Sequence, residues 1–235
     1  MSSRTEPSRR RPQLSDEASA YVRGLIISGE LRPGTSVRPE TIGEALNIST
    51  TPAREALQAL RVEGFLDLVP RRGFLVAPLN GKDIRDLFLA QALIAGELAA
   101  RAAANASAQD IDELQALHHE LIAAASRNNH DLLEEKNHAF HRQINIMADS
   151  RKISWTLGLI TRYVPRRFYS SIQGWPKATV EDHGELLECI KAKDSDATRA
   201  AMHEHIVHAG ELLATHFDER VAAALTERPR AQVSV

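Results

Sequence analysis

Ile48-Ser49-Thr50-Thr51-Pro52-Ala53-Arg54-Glu55-Ala56-Leu57-Gln58-Ala59-Leu60-Arg61-Val62-Glu63-Gly64 reads as a tight turn, a helix with marked ends and a stop. Thr51 suits the N-cap, Pro52 the first helical position and Gly64 the termination. Ala53, Ala56, Leu57 and Leu60 recur at i, i+3, i+4 and i+7 and so share one buried face. Arg54, Gln58 and Arg61 recur at i, i+4 and i+7 on another. A helix with that outward face, entered from a hydroxyl-rich turn, has the chemistry of a DNA recognition helix. Arg pairs with guanine and Gln with adenine in the major groove, while hydroxyls and the helix N-terminus meet phosphates. In an isolated helix such residues are more often a solvated face, so the neighbouring elements have to decide.

They form an ordered series. Ser15 to Ser28 is expected as an amphipathic helix with Ala18, Tyr21, Val22, Leu25 and Ile26 inward, Ser15 at its cap and Asp16 and Glu17 at its N-terminus. Gly29, Pro33 and Gly34 break the chain. Pro39 opens a short second helix with Ile42, Ala45 and Leu46 inward, and Asn47 to Thr50 turns directly into the Arg-bearing helix, a helix-turn-helix. After Gly64, Phe65 to Val69 and Phe74 to Ala77 read as two strands joined by the turn Pro70-Arg71-Arg72-Gly73. That hairpin is expected to be a wing with two arginines at its tip.

Residues 14–79 resemble the winged helix-turn-helix of GntR-family transcription regulators. The resemblance is carried by Gly29-Glu30-Leu31-Arg32-Pro33-Gly34, Ser49 to Leu57, Glu63-Gly64-Phe65 and Arg71-Arg72-Gly73-Phe74. It implies a DNA-contacting set of Arg38, Ser49, Thr50, Thr51, Arg54, Gln58, Arg61, Arg71, Arg72 and Gly73, with double-stranded operator DNA as partner. Thr50 stands where the family usually has Arg. A bidentate contact worth about 1–3 kcal/mol of discrimination is thereby absent, and the operator is expected to differ from those of relatives.

Composition sets outer bounds. A chain of 235 residues holds one or two domains, each able to bury a core. Its net charge of −2 argues against general stickiness toward nucleic acid. Residues 1–80 carry 11 basic and 9 acidic residues, a net of +2, and the remainder carries −4, the sign expected of a DNA-binding head on an acidic body. The single Cys189 excludes an intramolecular disulfide and suits a reducing cytoplasm. No run is read as approaching the ~20 apolar residues of a membrane span, and the polar N-terminus is not read as a secretory signal. Residues 1–13 are expected to form a disordered tail, in which Arg9-Arg10-Arg11 is either solvated or touches phosphates.

From residue 81 the chain reads as helices: Asp83 to Ala104, fraying around Asn105-Ala106-Ser107, then Ala108 to Ser126, Asp131 to Ala148, Lys152 to Ser170, Ala178 to Lys191 and Ser195 to Ala224. The fold class is therefore mainly α: an N-terminal winged helix-turn-helix followed over 80–224 by an all-helical bundle, with 225–235 a loose tail. All ten histidines lie after residue 117. Asn137 and His141 stand i, i+4 on one helix face, and His183 and His205 lie on two later helices. Facing helices of a bundle can bring such groups to one internal point, where three imidazoles and an oxygen suit Zn²⁺, Ni²⁺ or a similar ion. His138 is an alternative to Asn137, being i, i+3 from His141. The alternative for the whole set is a water-filled polar pocket. His118, His119, His130, His203, His208 and His216 read as surface or hydrogen-bonded core residues. Trp155, Trp175 and Arg162 to Tyr169 read as a helix contact or pocket wall rather than a single-strand stacking platform.

Residues 81–220 resemble the FCD effector domain of the FadR subfamily, through Asn137-His138-Ala139-Phe140-His141, Asp182 to Leu187, and Asp194 to Ala197 leading to Met202-His203-Glu204-His205. The resemblance implies a metal held by Asn137, His141, His183 and His205, and a small organic acid beside it. Asn137 stands where the family most often has Asp, and its neutral oxygen is the weaker donor to a divalent ion. Gln91 and Ala95 stand where the family commonly carries Arg and Glu, so Gln91 is the effector-pocket candidate without a cationic anchor. Taken together, the chain reads as a cytoplasmic homodimeric regulator, a repressor by default, controlled by a carboxylate effector. The rivals are a pure metal sensor and a metal-dependent hydrolase. The hydrolase lacks a general base spaced as in H-E-x-x-H.

Overall fold

The computed structural model describes residues 11–163 and 169–226. Arg9 and Arg10, residues 164–168 of the aromatic-basic stretch, and residues 227–235 of the expected tail lie outside the described residues. The chain divides at Leu79–Asn80 into two units.

The first unit contains α1 (Arg11–Ile27), β1 (Ser36–Val37), α2 (Pro39–Leu46), α3 (Thr50–Val62), β2 (Leu66–Val69) and β3 (Gly73–Val76). Helix α1 starts four residues before the expected Ser15 cap, taking in residues assigned to the tail. The three strands form an antiparallel sheet in the order β1-β3-β2, with Ser36 opposite Leu75 and Leu68 opposite Phe74. The third strand was not anticipated. It is only two residues long and is held by Gly34 N–H to Val76 O at 2.8 Å and Val76 N–H to Thr35 O at 2.9 Å.

Ala53, Ala56, Leu57 and Leu60 of α3 are fully buried against Ala18, Val22 and Ile26 of α1 and Phe65, Phe74 and Val76 of the wing. Burying a leucine side chain is worth about 1.5–3 kcal/mol, so Leu57 and Leu60 bind α3 firmly to this core. Tyr21 and Ala45, expected inward, are exposed. The buried arc of α1 passes instead through Ser19 and Arg23, which have partners on the α3 side. Ser19 Oγ donates to Ala56 O at 3.5 Å, and Arg23 Nη2 to Glu63 Oε2 at 2.6 Å.

The second unit contains α4 (Gly81–Asn105), α5 (Ala108–Ser126), α6 (His130–Met147), α7 (Arg151–Ile160), α8 (Trp175–Lys191) and α9 (Ser195–Thr226), with 3₁₀ turns at Thr161–Tyr163 and Tyr169–Ser171. Three boundaries correct the sequence reading. The α4–α5 junction does not fray, because Ser107 and Asp110 form a capping box that satisfies orphan N–H groups of α5. The single helix expected over Lys152 to Ser170 ends at Ile160. Helix α8 then begins at Trp175 rather than Ala178, with Gly174 left-handed at φ 86° and Pro176 in the first turn.

Leu98, Ala99, Ala102 and Ala103 of α4 pack with Leu114, Phe140, Ile144, Leu186, Ile190 and Met202 as the bundle core. By length and composition α4 is apolar enough to cross a bilayer, so the expectation that no run approaches such a span was too strong. Its Ile84, Phe88, Leu98 and inner-face alanines are buried, while Leu89 and Leu93 are exposed. Small residues also bring helices close together: a Cβ on Gly210 of α9 would stand 2.4 Å from Phe88 Cβ of α4.

Candidate functional site

The core of the first unit turns the polar face of α3 outward. Ser49, Thr50, Thr51, Arg54 and Arg61 are exposed, Gln58 is half-buried, and Arg38 just ahead of α2 is exposed. The N-cap of α3 is Ser49, not Thr51, so both threonines lie in the first turn, and Pro52 is buried where no N–H partner is needed. The Arg54 guanidinium lies 3.8 Å from Glu40 Oε1, both half exposed or more, a loose pair that leaves Arg54 able to turn toward another acceptor. At the wing tip Arg71, Arg72 and Gly73 are exposed. Arg71 has φ +64° and Gly73 φ +77°. A non-glycine residue in the left-handed region costs about 1–3 kcal/mol, and such strain concentrates at functional sites. No sequence signal announced it.

In the second unit the structure brings His141 of α6, His183 of α8 and His205 of α9 together, with one ligand nitrogen from each within 4.8 Å of the others. His183 Nε2 lies 3.3 Å and His205 Nε2 3.2 Å from His141 Nε2. Nitrogens sharing one ion at about 2.0–2.1 Å stand about 3.0–3.4 Å apart, and both distances to His141 Nε2 fall in that range. Phe140 stacks on His183 with centroids 4.3 Å apart and fixes its ring plane. His183 is fully buried and its Nδ1 has no hydrogen-bond partner among the described residues. Burial, then the nearby imidazoles, hold His141 and His183 well below the usual histidine range. Both are thus neutral at neutral pH, the form in which a ring nitrogen can ligate.

Asn137 is buried one turn before His141, and its Oδ1 accepts from Thr179 Oγ1 at 3.3 Å. Thr179 in turn lies one turn before His183 on α8. His138 is not among the three clustered donors. Gln91 is buried in α4 and its Nε2 has no hydrogen-bond partner among the described residues. His118 bonds to Val180 O at 3.0 Å and His130 to Ser170 O at 2.8 Å, structural contacts as expected of them. Trp175 is buried and stacked on Tyr169, but Trp155 is 61% exposed, with Lys152 over its ring. The packing role expected of both tryptophans therefore holds for Trp175 alone.

Two carboxylates, Asp182 half-buried and Glu134 buried, escaped the sequence reading. Asp182 Oδ2 lies 3.0 Å from His205 Nδ1 and 3.4 Å from His208 Nδ1. Burial pushes the Asp182 carboxyl up, but the hydrogen bond from His205 and the two histidines' charges outweigh it, and the net shift is downward. Glu134, only 2% exposed, accepts from both Ser170 N at 2.8 Å and Ser170 Oγ at 2.7 Å, pinning the 3₁₀ turn that carries Tyr169 onto α6. Burial, then the Glu134 charge, raises the Tyr169 hydroxyl pKa. Glu134, Asn137 and His141 stand at i, i+3 and i+7, so a polar stripe on α6 was the available signal.

The model of the FCD domain matches residues 86–208, more than half of the chain, and that of the bacterial regulatory proteins of the gntR family matches residues 14–76. The chain is a GntR-family regulator with an FCD domain. It is a DNA-binding transcriptional regulator, and the names of its relatives are those of regulators rather than enzymes. The HTH-type transcriptional repressor RspR of Escherichia coli K12 is 24% identical over 201 residues, covering 84% of this chain and 88% of that protein. The Nta operon transcriptional regulator of Aminobacter aminovorans is 24% identical over 208 residues, covering 86% and 94%. Among solved structures, E. coli McbR/YncC superposes with a TM-score of 0.65 at 22% identity, covering 86% of this regulator and 97% of that chain. A GntR family member from Pseudomonas syringae superposes at 0.54 and 22% identity, covering 90% and 89%. These likenesses share the fold.

Proposed function

We propose that this regulator binds operator DNA as a homodimer and represses transcription until a small organic acid binds beside a divalent cation in its FCD domain. The observation that carries the metal reading is the convergence of three imidazole nitrogens within 4.8 Å of one another. His141, His183 and His205 would hold Zn²⁺ or Ni²⁺. Asn137 is the fourth candidate, and to ligate it would have to share its Oδ1 with Thr179. A neutral amide contributes no charge to the site, which leaves a divalent ion able to attract an effector carboxylate. The buried Nε2 of Gln91, without a hydrogen-bond partner among the described residues, supports a second contact to the effector.

On DNA, Arg54, Gln58 and Arg61 read bases. Arg38, Ser49, Thr50 and Thr51 meet phosphates, as do Arg71, Arg72 and Gly73 at the wing. Paired heads read paired half-sites, hence the homodimer. The E. coli relative named a repressor supports that sign of control. Acting on chromosomal DNA places the protein in the cytoplasm. Effector and operator are linked only as far as the effector binds one arrangement of the dimer better than the other.

The test is fluorescence anisotropy of the full-length protein on duplexes from upstream of its own and neighbouring genes. It is run over a salt series, with and without chelator, against a scrambled duplex. Sequence-selective binding that a carboxylate relieves supports the whole reading. Selective binding governed by metal alone makes the ion the signal. A steep salt slope with no preference over the scrambled duplex overturns operator recognition.

A further inference from the structure

We infer that Asp182 is a positioning residue for the histidine cluster: its carboxylate fixes the His205 ring with Nδ1–H turned outward and the Nε2 lone pair turned toward His141 and His183. The inference rests on the metal reading above.

An ionised carboxylate only accepts hydrogen bonds. At 3.0 Å from Asp182 Oδ2, His205 Nδ1 must therefore be the donor. A neutral imidazole carries one ring proton, so its Nε2 is then a bare acceptor, and that atom lies 3.2 Å from His141 Nε2. His205 is 5% exposed, too little for water to set the tautomer freely. His183 contrasts with it: among the described residues its buried Nδ1 has no partner, so nothing described at that nitrogen chooses a tautomer. Asp182 and His183 are consecutive on α8. One presents a nitrogen to the cluster and the other orients the α9 nitrogen that joins it. Carboxylates in this position orient a ligating imidazole and raise its basicity. His208 lies on the same side of α9 and is 48% exposed, with a longer 3.4 Å approach to the same oxygen. It does not face His141 or His183, so the effect of Asp182 passes through His205.

The experiment measures Zn²⁺ affinity of the full-length protein by competition with a chromophoric chelator, for wild type, Asp182→Asn, Asp182→Ala and His208→Ala. Losing the carboxylate is expected to weaken Zn²⁺ binding about 10–100-fold. Asp182→Asn keeps an acceptor oxygen and is expected to lose less than Asp182→Ala, while His208→Ala stays close to wild type. The second readout needs no metal: long-range ¹H–¹⁵N spectra of the metal-free protein should show His205 protonated at Nδ1 in wild type and losing that preference in Asp182→Ala. If Asp182→Ala does not fold, Asp182→Asn and the wild-type spectrum carry the test. Wild-type Zn²⁺ binding that both Asp182 variants leave unchanged overturns the positioning role and spares the metal reading. So does a His208→Ala loss as large as that of Asp182→Ala. If wild type binds no Zn²⁺, the metal reading falls, and a His205 ring protonated at Nε2 then overturns the role of Asp182 as well.

Discussion

A Cβ placed on Gly43 of α2 would stand 2.9 Å from the backbone oxygen of Ile48, whose own N–H donates to Gly43 O at 2.9 Å. The turn between the two helices of the DNA-binding motif thus closes on a residue with no side chain. The obstacle is backbone, which cannot swing aside as a side-chain tip would. Gly43→Ala is expected to cost about 1–3 kcal/mol and to tilt α3 on α2. Thermal unfolding should show the loss, and operator affinity should fall with it. Unchanged melting and unchanged affinity would mean that the turn relaxes without cost.

On the proposed reading the exposed arginines divide by role, and salt would separate them. Arg54→Ala removes a base-reading group and is expected to cost about 1–3 kcal/mol on operator and relax selectivity at one position. Arg71→Ala and Arg72→Ala remove phosphate contacts, weaken all duplexes alike and lower the salt slope by about 1 each. Anisotropy on operator and scrambled duplexes over a salt series distinguishes the two patterns. An Arg54→Ala protein with unaltered operator preference would sink the assignment of α3 as the reading helix.

Local signals and tertiary ones were unequally legible. The apolar spacing of Ala53, Ala56, Leu57 and Leu60 placed α3, because a repeating face is written into consecutive residues. Helical spacing put Asn137 over His141, while His183 and His205 were singled out among ten histidines by the resemblance to the FCD domain. Strand β1 escaped because two residues carry no periodicity. The early start of α8 was signalled by Pro176, and the sharp α4–α5 break by Ser107-x-x-Asp110, yet neither was used. Arg23 and Asp182 could not be read at all. Arg23 is buried beside Glu63 and Phe65, and Asp182 beside His205. Both contacts join residues at least 23 positions apart.

The Ser107 box gives a stability test remote from both sites. Ser107 Oγ accepts from Asp110 N–H at 3.2 Å, and Ser107 N–H donates to Asp110 Oδ2 at 3.0 Å. The Ser107 hydroxyl, then its backbone N–H, holds the Asp110 carboxyl below the usual carboxylate range. Ser107→Ala is expected to cost about 1 kcal/mol at neutral pH. A depressed carboxyl contributes stability above its unfolded pKa of about 3.9 and loses it as pH falls through the folded value. The gap in melting temperature between wild type and Ser107→Ala should therefore narrow below about pH 4. A gap of constant size down to that pH would show that the Asp110 charge adds nothing to the cap.

The histidine cluster gives a pH window of the same sign but at higher pH. In chelator-stripped protein His141 and His183 titrate well below their unfolded value of about 6.5. Between those values the unfolded chain binds more protons than the folded one, so stability rises with pH there and is lost as pH falls below about 6.5. Each histidine contributes at most about 1.4 kcal/mol per pH unit. The melting temperature in chelator should be level above about pH 7 and drop toward pH 5.5, a range in which ordinary carboxylates stay ionised. Zn²⁺ at about 100 times its Kd adds about 2.7 kcal/mol at pH 7.5. That increment should shrink on acidification, because protons and metal compete for the same lone pairs. A chelated protein whose melting temperature ignores pH between 5.5 and 7 would mean these imidazoles are solvated rather than buried. A Zn²⁺ increment that persists unchanged at pH 5.5 would place the ion on other ligands.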